Sequence, residues 1–253
     1  MMLALTGAAV ERWDVAWPAS TDPDAHKTVV GLTNRTVAVA EQARDAAALA
    51  DDPDVAVVVG SLCGLLPVTE HAVATLHERG HRWLNPEAFL LNNANGLAST
   101  FATRGGIRAS ASTLLGWSAG IEALASAARM VELGRHRAVI AGAFDWPSPF
   151  VASWLQAWDT PTSPDRAAAA FVVVESAAAA RDRGQPALGL LEVHSPAVPA
   201  PTGGADPDGM TPAVAPLVEV AGALLDRRRT ELTFQRPAGR RREVRVHVGR
   251  ADA

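Results

Sequence analysis

Between Ile121 and Val131, the apolar side chains Ile121, Leu124, Ala125, Ala128 and Val131 recur at helical spacing, and the pattern predicts an amphipathic helix. Its small alanine neighbours would let another backbone approach closely, so this helix is expected to be buried. Gly134 stands just past its end, followed by the polar residues Arg135, His136 and Arg137, a sequence suited to closing a helix. The apolar run Ala138-Val139-Ile140-Ala141-Gly142-Ala143 then reads as a strand, ahead of a loop rich in Pro, Trp and Phe. Near the C-terminus the period changes. In Glu243-Val244-Arg245-Val246-His247-Val248 polar and apolar residues alternate, as in a strand with one buried face. The Pro/Gly/Asp run from Ser195 to Gly209 shows neither period and reads as a flexible loop.

Upstream of the alanine-rich helix stands Ser112-Thr113-Leu114-Leu115-Gly116-Trp117-Ser118-Ala119-Gly120. A small-residue strand, a tight turn and a long helix together can hold a nucleophile at a helix N-terminus, where the dipole lowers its pKa. Here the turn offers only Gly116, Trp117 and Ser118. The frame is present and the thiol is not.

The segment from Ser110 to Ala143 resembles the centre of the β-ketoacyl synthases of fatty acid and polyketide synthesis, which have a thiolase fold. In that family a Ser-Thr-Ala-Cys turn precedes the long helix, and a strand ending Ala-Gly-Gly follows it. Counting back from Arg129 puts the family's cysteine at Trp117, and counting forward from Asn93 puts it at Gly116; neither is cysteine. The resemblance extends outward. Leu3 to Val10 is similar to the family's opening strand and Gly turn, Val30 to Ala50 to its first helix, and Asp54 to Gly60 to the next core strand. Asn92-Asn93 resembles the asparagine before the helix that leads to the nucleophile strand. Phe171-Val172-Val173-Val174-Glu175 and Ala177 to Gly184 resemble the Leu-Val-Leu-Glu strand and the Ala-x-x-Arg-Gly helix end. Singly these are ordinary α/β features; their order over Leu3 to Gly184 carries the resemblance.

After Gly184 the chain departs from the pattern. A complete synthase has a second half that repeats the first and supplies two histidines and a lysine, the first histidine in a His-Gly-Thr-Gly-Thr motif that is absent here. Met210 to Pro216 and the helix to Leu225 resemble the late Gly-His turn, with Met210 at the histidine position. The resemblance therefore implies an α/β fold of layered, thiolase-like αβα type with much of the second repeat missing. By the same resemblance the whole chain, 1–253, would be one ketosynthase-like domain: 1–184 the N-terminal repeat, 185–209 a loop replacing the lost part, and 210–253 a remnant of the C-terminal repeat.

Decarboxylative condensation needs a thiolate to carry the acyl chain and donors for the oxyanion. The only cysteine, Cys63, follows a core strand far from the helix turn and reads as a small buried thiol. The only lysine, Lys27, lies in a polar stretch and is expected to face solvent. His71, His77 and His81 are spaced i, i+6, i+10 on a predicted helix, which does not bring all three to one face, so no metal site is expected. His194 reads as a strand-end or loop residue. Gly116-Trp117-Ser118-Ala119-Gly120 also fits the Gly-x-Ser-x-Gly nucleophile elbow. A hydrolase or acyltransferase using Ser118 would need a downstream acid and then a histidine, for which His194 or His247 would have to serve, and the upstream oxyanion-loop signature is absent.

At 253 residues, 48% hydrophobic and 20% charged, the chain can bury a substantial core. A net charge of −4 argues against nucleic acid as the main partner. Arg227-Arg228-Arg229 and Arg240-Arg241-Arg242 are read as a solvated face or hairpin turn. No signal peptide or membrane-spanning stretch is visible, and a single cysteine suits a reducing compartment, so a cytoplasmic location is expected.

Within the resembled family, this description suits the chain length factor, the ketosynthase-like subunit of type II polyketide synthases that lacks the nucleophile and pairs with an active ketosynthase. The resemblance implies a shortened member of that kind. It would have no activity alone, no cofactor and no metal, and would meet the acyl carrier protein and its polyketide chain through the complex. Its catalytic positions would be empty: Gly116 or Trp117 at the nucleophile, Met210 at the late histidine. Trp117 would fill the vacated active-site region. The strand Arg108, Ala109, Ser110, Ala111, Ser112, Thr113 and Leu114 is expected at the partner interface. The region Pro86 to Asn93 and the helix Val68 to Arg79 would face the partner's pocket, with His71, Phe89 and Leu90 closing the tunnel that sets chain length. The alternatives at this stage are a scaffold subunit without length control and the Ser118 enzyme.

Overall fold

The computed structural model describes residues 2–19, 22, 24–86, 93–157, 162–194, 210–211, 213–227, 230–235 and 243–248. The chain runs β1 (Leu3–Asp14), α1 (Ala25–Ala46), β2 (Ala56–Ser61), α2 (Leu66–Arg79), a 3-10 turn (His81–Trp83), α3 (Gly96–Arg104) and β3 (Ala111–Leu115). It continues through α4 (Ala119–Glu132), β4 (Ala138–Asp145), α5 (Pro149–Gln156), β5 (Arg166–Ser176), α6 (Ala177–Asp182), β6 (Gly189–His194), α7 (Ala215–Leu225), β7 (Thr230–Gln235) and β8 (Glu243–Val248).

The described strands form one mixed sheet in the order β3-β2-β4-β5-β1-β6-β8-β7. β2 is parallel to both β3 and β4, while β5 runs antiparallel between β4 and β1. Side chains alternate across the sheet and feed two cores. Val58, Val139, Ala141, Val172 and Val174 pack on one face with α4 and α7. Val57, Val59, Ile140, Phe171 and Val173 pack on the other with α1, α2 and α3. The layering expected from the resemblance is the layering observed.

Local physics explains the elements that matter for the site. α4 buries Ile121, Leu124, Ala125, Ala128 and Val131, together with Ala119, Gly120, Ala123 and Ala127. It ends in a Schellman closure: Gly134 at φ +64 donates to the Val131 carbonyl, and Arg135 N–H reaches the Met130 carbonyl at 3.0 Å. In β4, Gly142 lies opposite Phe171 of β5, and a Cβ there would stand 1.9 Å from the phenylalanine ring. The apolar run therefore needs glycine at that point.

Some details differ from the sequence expectations. β1 continues through Gly7 to Asp14 with a register shift between Leu5 and Gly7, where a turn was expected, because β5 pairs with it along its whole length. Residues 189–194, assigned by sequence to the connecting loop, form β6 between β1 and β8. The alternating end segment is β8, and it joins the same sheet as the N-terminal strands.

Candidate functional site

Parallel pairing puts the C-terminal ends of β2, β3 and β4 along one edge, where open α/β sheets place their ligand sites. Ser61-Leu62-Cys63-Gly64, Leu115-Gly116-Trp117-Ser118 and Asp145-Trp146 meet there. Gly116 adopts φ +141, a backbone conformation that favours glycine, and donates its N–H to the Ser61 carbonyl at 3.0 Å. Gly60 allows the first turn of α4 to sit directly on β2, since a Cβ at residue 60 would lie 2.4 Å from the Ala119 carbonyl group. Gly120 does the same for the late segment: its missing Cβ would be 2.2 Å from the Ala213 carbonyl oxygen. The start of α4 and the turn after Met210 are thus packed together.

Asp145 ties these pieces, and the sequence reading missed it. Its carboxylate, about 1% exposed, accepts from Ser61 Oγ at 2.6 Å, from the backbone N–H of Leu62 at 3.0 Å and Cys63 at 3.2 Å, and from Thr211 Oγ1. Burial pushes its pKa up to about 6, against the opposing pull of those four donors. One sequence signal was available: an acidic residue closing an otherwise apolar, fully buried strand must find partners.

No nucleophile is assembled here among the described residues. Ser118 Oγ donates to Glu122 Oε1 at 2.8 Å, one turn along the same helix. His247, one histidine available to a Ser118 enzyme, lies on β8, where Val244, Val246 and Val248 point to the α4 side. Alternation turns His247 to the opposite face of the sheet. The side chain of His194 lies outside the described residues. His136 is at the far end of α4, its ring Nε2 3.0 Å from Ser110 Oγ. Cys63 is half-buried, and burial followed by the Asp145 charge pushes its thiol pKa far up, away from the thiolate. Lys27 is exposed and pairs with Asp24 at 2.9 Å.

The remaining predicted residues divide clearly. Met210 is half-buried against the α4/α7 core. Trp117 does not fill a vacated cavity in this chain; it is 38% exposed, beside Leu115 at 54%, on the turn between β3 and the start of α4. Arg108 and Ser110 are exposed and Ala109 is half-buried just before β3, and 111–114 are half-buried on β3, which is an edge strand among the described residues. His71, buried on α2, lines a cleft of about 650 Å³ with His26, Thr75, Arg79, Trp83, Asn85 and Pro86. The His26 and His71 rings are 6.4 Å apart, and Arg79 stacks on Trp83 at 4.3 Å. Phe89 and Leu90 lie outside the described residues. No His/Cys/Asp/Glu cluster suited to a metal is found among the described residues.

No family model matches the chain, and no curated protein matches it. Solved structures do. A chain of the ishigamide ketosynthase/chain length factor aligns over 98% of this chain and 100% of its own length, at TM-score 0.67 and 15% identity. The fold is the ketosynthase fold. A chain of a ketosynthase in complex with its chain length factor, from Xenorhabdus doucetiae, aligns over 98% of this chain and 99% of its own, at TM-score 0.58 and 16% identity. A type II polyketide synthase acyl-carrier protein in complex with its ketosynthase, bound to the hexaketide, supplies a third match at TM-score 0.60 and 16% identity. There the alignment covers 78% of this chain and only 64% of the other, so this chain spans less than two thirds of that relative. Some chains of the ketosynthase fold are thus matched end to end and others only in part. No helix among the described residues is long and apolar enough to cross a membrane.

Proposed function

We propose that this chain is a non-catalytic chain length factor that pairs with an active ketosynthase and shapes the tunnel into which a polyketide chain grows. The observation that carries the reading is the nucleophile turn. β3, Gly116 and α4 keep the frame that presents a cysteine in a ketosynthase, while the turn holds no thiol and Ser118 is bonded to Glu122. A thioester cannot form there.

The supporting features are consistent with this role. Among the described strands β3 lies at an edge of the sheet, and its half-buried residues are flanked by the exposed side chains of Leu115 and Trp117, an edge suited to a second subunit. The two relatives matched over nearly their whole length are chains of ketosynthase/chain length factor pairs. The His71 cleft is lined from α1 and α2 and by Pro86, and Phe89 and Leu90 follow Pro86 closely in sequence. The acyl carrier protein reaches the chain through the complex, and no cofactor or metal takes part. The division into an N-terminal repeat over 1–184 and a remnant over 210–253 belongs to the same proposal.

Coexpression with an active ketosynthase tests it. A stable two-chain complex is expected, with the acyl group found by intact-mass spectrometry on the ketosynthase alone and unchanged condensation by the Cys63→Ala complex. An acyl adduct on Cys63 or Ser118 would overturn the non-catalytic assignment.

A further inference from the structure

The outer edge of β3 is partly occupied by a side chain of its own subunit. Ser110 C=O accepts from Val57 N–H at 2.9 Å, and Gly116 N–H donates to Ser61 at 3.0 Å, so the even-numbered residues of this strand turn their backbone groups toward β2. Backbone direction alternates along a strand, and Ala111, Thr113 and Leu115 therefore direct theirs outward. Among the described residues no strand lies on that side. Asn95, at the start of α3, folds back over the strand. Its Nδ2 donates to the Ala111 carbonyl at 3.3 Å and to Ser99 Oγ at 3.1 Å, and its Oδ1 accepts from Thr113 Oγ1 at 3.1 Å.

We infer that Asn95 sets the register of the subunit interface by blocking Ala111. Its carboxamide stands where the next strand's backbone would be, so an incoming edge strand finds free groups only from Thr113 onward. The partner's strand pairs with the N–H and C=O of Thr113 and Leu115 and cannot extend to Ala111. A slip of two residues would keep every side chain on its own face, so the hydrophobic pattern alone would not forbid it. Asn95 supplies what that pattern lacks. The occupant is the edge strand of a second subunit of the ketosynthase fold, because this edge adds one strand to an open sheet and the relatives matched end to end are chains of two-subunit ketosynthase complexes. This inference rests on the proposed pairing with a ketosynthase.

The test is residue-resolved amide hydrogen exchange on the full chain, alone and in complex with the coexpressed ketosynthase. In the complex the Thr113 and Leu115 amides should slow by at least tenfold, while Ala111 exchanges as in the free chain. In the Asn95→Ala complex Ala111 should become protected as well. Asn95→Asp keeps the acceptor for Thr113 but sets a carboxylate oxygen against the Ala111 carbonyl, whose repulsion drives the side chain off that edge, so it should behave like Asn95→Ala even if the alanine variant folds poorly. Protection of Ala111 with Asn95 intact, or a complex in which Thr113 and Leu115 stay unprotected, would overturn the register assignment while leaving the pairing standing. Failure to form any ketosynthase complex would overturn the pairing, and the register with it.

Discussion

Thr211 donates its hydroxyl hydrogen to Asp145 across 66 residues of chain, joining the turn before α7 to the buried end of β4. Met210 directly precedes Thr211, so this bond holds the segment that begins at Met210. The same carboxylate gathers the β2–α2 turn through Ser61, Leu62 and Cys63. One buried acid therefore ties together the turns at the C-terminal edge of the parallel strands.

Asp145 makes folding pH-dependent in an unusual direction. Its pKa is raised from 3.8 unfolded to about 6 folded, so between those values the folded chain holds a proton the unfolded chain has lost. The stabilisation from this group is full below about pH 4 and gone as pH rises past 6. It amounts to about 3 kcal/mol in all, of which about 1 kcal/mol returns between pH 7 and pH 5. Asp145→Asn should lose that slope. Urea melts of both proteins at pH 5 and 7 measure it, and an equal change in the two would show that Asp145 does not titrate in this range.

The legible parts of this molecule were those governed by local pattern. The α4 face, its closure at Gly134, the β4 run and the alternation of β8 all follow from spacing and are present. What the pattern could not give was set by pairing and projection. β6 pairs with β1 and β8 through a segment whose flanking Pro and Gly residues mask it as loop. Trp117, expected from the resemblance to fill the vacated active-site region, is left partly exposed by its position on the turn before α4. Asp145 was hidden because a lone acid carries no periodicity; its partners Ser61 and Thr211 are close only in three dimensions.

The docking of the late segment onto α4 should be visible in a pair of glycine substitutions. Gly→Ala inside a helix ordinarily stabilises by about 1 kcal/mol. At Gly222 of α7 nothing lies within 4 Å of the added methyl, and Gly222→Ala should show that gain. At Gly120 the methyl would press on the Ala213 carbonyl oxygen at 2.2 Å and on Ala143 at 3.1 Å. Backbone overlap costs about 1–3 kcal/mol and outweighs the helix gain, so Gly120→Ala should destabilise. Chemical melts decide it; a stabilised Gly120→Ala would show that α7 does not sit on α4.

Trp117 separates the free chain from the complex. A fully buried tryptophan truncated to alanine costs about 3–5 kcal/mol, but at 38% exposure the free chain should lose only about 1–2 kcal/mol. If the turn is covered by the partner, the residue is buried twice over, and large aromatics at the centre of interfaces dominate affinity. Trp117→Ala should then weaken ketosynthase binding by at least tenfold while the free chain still melts cooperatively. Binding unchanged within a factor of two would place Trp117 outside the interface.

Length control is the most exposed consequence of the proposal. His71 is 9% exposed at the wall of the cleft that opens beside His26 and Pro86, and Phe89 follows three residues after Pro86 in sequence. A tunnel end stops a growing chain by denying it volume. Removing the blocking ring opens space, and each methylene that enters gains about 0.8 kcal/mol, enough to shift a product distribution several-fold. His71→Ala and Phe89→Ala, each tested as an intact two-chain complex, should therefore extend the product by one or more two-carbon units. Cys63→Ala removes only a half-buried thiol in the β2–α2 turn and should leave product length unchanged. Mass spectrometry of the released polyketides reads the outcome directly. Unchanged lengths for both cleft variants, with complexes intact and condensation still running, would leave this chain the role of a scaffold that supports its partner without measuring its product.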